Sequence, residues 1–152
     1  MINIIFIWLV TVLLTNYVTY KRKIESTEKP LMDLFHLIDL SEYKQVCDIF
    51  PFINILLINN YSTFLLCHTI LILLRFICFH STILPPPMNL KLRMSFYIIP
   101  NYTYDLIFSG HTMTCILSIF CTEYINTCII FSVLCSIMVI LTKEHYTIDV
   151  IV

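Results

Sequence analysis

Long apolar stretches separated by short polar breaks set the pattern of this chain: residues 2–20, 46–79, 106 to about 121 and 125–141 are dominated by Ile, Leu, Val and Phe. A helix that crosses a bilayer needs about 20 mainly apolar residues to cover about 30 Å of hydrocarbon. Residues 2–20 reach that length with no basic residue ahead of the apolar core and no small-residue cleavage site, which predicts a retained spanning helix rather than a removable leader. Residues 46–79 are too long for one crossing, and Asn59-Asn60-Tyr61-Ser62 suits a tight turn between two antiparallel helices, with Pro51 kinking the first. Two further spans follow, parted by Thr122-Glu123-Tyr124, and Ile148-Asp149-Val150-Ile151-Val152 reads as the opening of a sixth helix that is cut short. The expectation is an all-α, multi-pass membrane bundle of five spans plus the start of a truncated sixth, with residues 1–152 forming a single membrane-embedded domain.

Composition agrees with that pattern. The chain is 59% hydrophobic and 12% charged, with a mean hydropathy of +0.86, more apolar material than a soluble fold of this length covers. A near-balanced net charge of -1 gives no strongly basic face that would argue for nucleic acid. The seven cysteines show no close paired spacing of the zinc-site kind, and Cys121, Cys128 and Cys135 read as small packing residues. With no carboxylate cluster either, neither a metal nor another cofactor is expected. If the helices alternate across the membrane, the first, third and fifth loops share one side, and all nine Lys and Arg fall there. Charges collect in the longer loops of any membrane protein, and their stems lie readily along apolar surface. His111, Asp149 and Arg75 are different, because they sit at helix ends or just inside apolar runs, where an ionisable group is costly.

Two histidines and an aspartate form the candidate constellation. A spacing of four places His145 and Asp149 on one face if that segment winds into the last helix, so that Asp149 holds one imidazole nitrogen and leaves the other to attack. Ser109 is suited to cap the helix that starts beside it, which presents the amides of Gly110, His111 and Thr112 at a positive dipole end to an anion. Gly110 is the only glycine in the chain. Without a Cβ atom it lets a phosphate oxygen approach the backbone, with His111 alongside to move a proton.

These residues resemble a family, the sphingomyelin synthase and inositol phosphorylceramide synthase group, six-helix membrane enzymes related to the type 2 lipid phosphatases. The resemblance runs through four motifs in the family's order. Pro30-Leu31-Met32-Asp33 is similar to its Pro-Leu-Pro-Asp element, with methionine in place of the second proline, and Arg75-Phe76-Ile77 through Ser81-Thr82-Ile83-Leu84-Pro85 to the segment that ends helix three. Asp105-Leu106-Ile107-Phe108-Ser109-Gly110-His111-Thr112 and His145-Tyr146-Thr147-Ile148-Asp149-Val150 are similar to the third and fourth. The third motif departs in carrying Thr103-Tyr104 where the family has Cys-Gly.

The resemblance implies a transfer of phosphocholine, phosphoethanolamine or phosphoinositol from a glycerophospholipid to ceramide, with release of diacylglycerol. His145 would attack phosphorus with Asp149 orienting it, and His111 would protonate the leaving oxygen and later deprotonate ceramide. Arg75, Asp105, Ser109, Gly110 and Thr112 would bind substrate, Arg75 as a phosphate clamp. The partners implied are ceramide, the donor lipid and the bilayer, in the Golgi or plasma membrane. The family's active face is luminal or extracellular, whereas the positive-inside rule directs a face bearing every Lys and Arg to the cytosol. Two other readings stay open: a lipid phosphate phosphatase, and a truncated, non-catalytic lipid-binding relative.

Overall fold

Two tight turns at one end of the molecule decide how its helices pair. The computed structural model describes residues 2–21, 33, 38, 40–81, 93–94, 100–101, 109–143 and 145–151. In chain order these form α1 (Ile2–Lys21), a 3-10 turn (Ser41–Tyr43), α2 (Lys44–Cys47), α3 (Ile49–Leu56) and α4 (Tyr61–Ser81). Two short strands follow, β1 (Arg93–Met94) and β2 (Pro100–Asn101), then α5 (Gly110–Ile119), α6 (Ile125–Leu141) and α7 (Thr147–Ile151). Among the described residues the architecture is all-helical apart from the antiparallel pair, in which Arg93 faces Asn101 and Met94 faces Pro100.

The first tight turn is built by Asn60, whose Oδ1 accepts from Thr63 N at 3.1 Å and so caps α4. The second turn, after α5, docks on it: Asn59 N and Asn60 N donate to Cys121 O at 3.0 and 3.2 Å. Glu123 N donates to Asn59 Oδ1 at 3.0 Å, and Thr122 Oγ1 donates to Leu57 O. Each reversal therefore satisfies the orphan backbone groups of the other, and the α3–α4 and α5–α6 pairs register at that end. Along their length α5 packs on α6 and α3, α3 on α6, α4 on α5, and α1 on α4.

The first helix expected within residues 46–79, kinked at Pro51, is found as two short helices, α2 and α3. Pro51 has no N–H to give to Cys47 O, the carbonyl four residues back. Asp48, with φ -70° and ψ -24°, stands at the break, and the first amide past the proline, Phe52 N, bonds back to Asp48 O at a long 3.4 Å. The break tucks Cys47 into a core with Cys115, Cys135 and Val139, and frees the Asp48 side chain to turn inward. A second core, Ile58, Phe64 and Cys121, lies under the tight turns. Cys128 and Cys135 are buried among the helices, in keeping with their reading as packing residues.

One described helix, over Tyr61–Cys78, is long and apolar enough to cross a membrane; Ile2–Thr15 and Ile125–Leu141 are shorter apolar segments. Outward faces are apolar, with Phe6, Ile77, Ile130 and Val133 exposed. Hydroxyls on these helices bond back to their own chain: Thr11 to Ile7 O at 2.9 Å, Thr69 to Leu65 O at 2.7 Å and Ser132 to Cys128 O at 2.6 Å. The helix expected from residue 106 starts, within the described residues, at Gly110, and its ten residues span about 15 Å.

A polar chain crosses the apolar interior of the bundle. Trp8 Nε1 donates to His68 Nδ1 at 3.0 Å. Because an indole only donates, that nitrogen carries no proton, and the neutral ring presents Nε2–H to Thr114 Oγ1 at 3.2 Å. Thr114 in turn donates to Gly110 O at 2.8 Å, and His68 stacks on Phe64 with centroids 5.3 Å apart. The chain ties α1 and α4 to the first turn of α5. Trp8→Phe should therefore lower stability in detergent unfolding titrations by about 1 kcal/mol, the usual worth of an interhelical side-chain bond in a membrane protein; an unchanged midpoint would contradict the network's role.

Candidate active site

At the opposite end from the tight turns, the start of α5 meets α3, α4 and α7. Ser109 has the extended backbone of an N-cap, φ -62° and ψ 123°, and its Oγ accepts from Thr112 N at 3.4 Å. Its own amide donates to Asp149 O at 2.7 Å, and Met113 N donates to Ser109 O at 2.9 Å. These bonds seat the Ser-Gly-His-Thr segment directly on the helix that carries Asp149. The amides of Gly110 and His111 open the helix and by geometry have no acceptor within it. Thr112 is buried, and its Oγ1 has no hydrogen-bond partner among the described residues.

Gly110 has no positive φ, so its missing side chain concerns space and not backbone conformation. A Cβ there would lie 2.5 Å from Arg75 Nη1 and 3.4 Å from the guanidinium carbon. Sequence reasoning assigned that space to a phosphate oxygen; the structure fills it with the guanidinium of Arg75, delivered by the last third of α4. A cation against the positive end of a helix dipole is a pairing of like signs, and an anion held between them relieves it.

His111 points toward the break between α2 and α3. Its Nε2 lies 2.8 Å from Asp48 Oδ1, with the side chains 13% and 4% exposed. A carboxylate only accepts, so Nε2 carries the proton and Nδ1 is the nitrogen left for proton traffic. Asp48 was missed by sequence reasoning, although an aspartate three residues before Pro51 in an apolar stretch is the kind of costly placement that signals function.

His145 and Asp149 come together differently from the expected shared helical face. His145 lies before α7, which begins at Thr147, and only Asp149 is within it. The chain bends at His145, and both side chains are buried. His145 Nδ1 stands 3.8 Å from Asp149 Oδ2, inside ion-pair range and beyond hydrogen-bond length. That same oxygen accepts from Tyr146 N at 3.0 Å. The carboxylate thus fixes the backbone turn and faces the imidazole at once. Asp33 grips the same turn, accepting from Thr147 N and Thr147 Oγ1.

Among the expected site residues, Ser109, Gly110, Thr112 and Arg75 gather at the α5 N-terminus, His111 adjoins them, and Ser109 links them to Asp149 with His145. Asp105 lies outside the described residues, as do Thr103-Tyr104, Pro30 to Met32, Lys91 and Pro85. The arrangement brings two imidazoles, each beside a carboxylate, and a guanidinium to one end of the bundle. That set suits proton transfer and nucleophilic attack at an anionic phosphoester.

Residues 104–152 match the family described as PAP2 superfamily C-terminal. No curated protein and no solved structure matches the chain. The matched stretch holds Ser109, Gly110, His111, His145 and Asp149, while Arg75, Asp48 and Asp33 lie ahead of it. It supports a relation to the type 2 lipid phosphatase superfamily, made up of phosphatases and phosphotransferases, and with it an enzyme of lipid phosphate chemistry.

The contact between Gly110 and Arg75 is open to a direct check. In Gly110→Ala the new methyl must displace the flexible guanidinium, which leaves α5 intact but moves the cation. Affinity for a non-hydrolysable phosphodiester lipid, measured by calorimetry in micelles, should fall about tenfold, equivalent to about 1.4 kcal/mol. Arg75→Ala should weaken binding at least as much, and the double variant no further; wild-type affinity in Gly110→Ala would contradict the placement.

Proposed function

We propose that the protein is a ceramide phosphotransferase of the sphingomyelin synthase kind, moving a phospho-headgroup from a glycerophospholipid to the primary hydroxyl of ceramide. The observation that carries this reading is the guanidinium of Arg75 packed on the first residue of α5, beside the His111–Asp48 pair. Two positive elements converge where a phosphodiester needs them, next to a histidine equipped to carry a proton. The resemblance of the four motifs supplies the lipid substrates, and the multi-pass topology in the Golgi or plasma membrane belongs to the same proposal.

The chemistry runs as a double displacement. His145, whose Nδ1 faces Asp149, attacks the donor phosphorus through Nε2, and the bond from phosphorus to the diacylglycerol oxygen breaks. His111 delivers a proton from Nδ1 to that oxygen, so diacylglycerol leaves neutral. Asp48, accepting from Nε2, stabilises the imidazolium that holds the proton beforehand. In the second half His111 removes the proton from the ceramide hydroxyl, the ceramide oxygen attacks phosphorus, and the phosphorus–nitrogen bond breaks to restore His145. Arg75 and the first amides of α5 neutralise the charge that grows on the non-bridging oxygens.

Hydrolysis is the second reading, because the superfamily matched by residues 104–152 contains phosphatases. Water in place of ceramide would divert the same intermediate. Purified protein in ceramide-containing micelles should convert labelled phosphatidylcholine, phosphatidylethanolamine or phosphatidylinositol to the corresponding phosphoceramide. His111→Ala should cost at least the 10²- to 10⁴-fold typical of a general acid–base group, and His145→Ala should abolish turnover. Free phosphate from phosphatidic acid with no phosphoceramide would favour hydrolysis, and no product from any of these lipids would overturn both readings.

A further inference from the structure

Asp33 reaches the histidine-bearing turn from 114 residues away and spends both carboxylate oxygens on one residue of it: Oδ2 accepts from Thr147 N at 2.6 Å and Oδ1 from Thr147 Oγ1 at 2.8 Å. We infer that Asp33 is a positioning residue for the His145–Asp149 pair, acting through Thr147. The inference rests on the function proposed above for its kinetic consequence and on geometry alone for its structural one.

Thr147 is the first residue of α7, so its amide is one of the helix's orphan donors. A cap side chain on the preceding residue, here Tyr146, accepts from the second or third amide of a helix and not from the first. Asp33 supplies the missing acceptor from another part of the fold. Holding the hydroxyl as well as the amide fixes the Thr147 side-chain rotamer together with its backbone. His145 lies two residues before this clamp and Asp149 two residues after it. The 3.8 Å separation between His145 Nδ1 and Asp149 Oδ2 therefore spans the clamped residue. Tyr146 N is held inside the same turn by Asp149 Oδ2 at 3.0 Å, and the far side of α7 is held by the bond from Ser109 N to Asp149 O. Among the described residues, bonds within the turn, from α5 and from Asp33 all bear on where the imidazole of His145 sits. Among them only the Asp33 grip uses a side chain that lies outside both histidine motifs. The effect of Asp33 travels through Thr147.

Three variants separate this role from a general contribution to folding. Asp33→Asn replaces one accepting oxygen by an NH2 group, Thr147→Val removes the hydroxyl at nearly constant shape, and Thr147→Ser keeps it. In micelles, kcat for phosphoceramide formation should fall roughly 10- to 100-fold in Asp33→Asn with KM for the donor lipid unchanged, the penalty of a misplaced reacting group. Thr147→Val should fall in the same direction, Thr147→Ser should retain wild-type kcat, and Asp33→Asn with Thr147→Val should be no worse than Asp33→Asn alone. Diethylpyrocarbonate supplies a readout that needs no turnover: by mass spectrometry, carbethoxylation of His145 should be faster in Asp33→Asn than in wild type, with His111 unaffected. An unchanged rate at His145 would overturn the inference whether or not any lipid is turned over. So would a faster rate with undiminished kcat per folded molecule. Wild-type protein that makes no phosphoceramide would sink the proposed function instead and leave the His145 labelling to decide the role of Asp33.

Discussion

One short backbone hydrogen bond, from Ser109 N to Asp149 O at 2.7 Å, joins the two halves of the site. Everything that approaches the first turn of α5, namely Arg75 over Gly110 and Asp48 against His111, is through that bond referred to the turn that carries His145. Without it the two motifs would be registered by side-chain packing alone, such as that of Val150 against the core that holds Cys115. An amide donating to a carbonyl is insensitive to side-chain identity, so the linkage leaves no mark in the sequence. It is nonetheless what makes the spacing between the motifs meaningful.

Apolar side chains dominate these helices, and the polar groups among them are arranged accordingly. A polar group buried in apolar surroundings without a partner costs several kcal/mol, which favours partners within the protein. The hydroxyls of Thr11, Thr69 and Ser132 solve this locally by bonding to the carbonyl four residues earlier. His68 solves it over distance, accepting a hydrogen bond from Trp8 and donating one to Thr114. Asp48 is affordable only because the helix breaks at Pro51 and lets its carboxylate face His111. The same break that shortens the expected span thus sets the Asp48 carboxylate against His111.

Helix α1, the turn at Asn59-Asn60 and helix α6 were legible because long apolar runs with polar interruptions have few other solutions. Ser109 as an N-cap was legible from its residue type and the glycine that follows. The occupant of the space at Gly110 was not, since a glycine announces close approach without saying what approaches, and Arg75 is 35 residues away in sequence (110 less 75). The four-residue spacing of His145 and Asp149 pointed to their proximity for a reason that proved partial: the chain bends at His145 and does not continue as helix. Asp48 and Asp33 act through contacts 63 and 114 residues apart, which no local pattern encodes.

The proposed chemistry divides the labour between two imidazoles, with His145 bonding to phosphorus and His111 moving the proton. Quenching the purified protein during turnover of a labelled glycerophospholipid, in the absence of ceramide, and locating the bound headgroup by mass spectrometry tests this most directly. The prediction is a phospho-headgroup adduct on His145 that disappears when ceramide is added and that builds up slowly in His111→Ala. An adduct on His111, or phosphoceramide formed at the wild-type rate by a protein lacking the His145 imidazole, would contradict it.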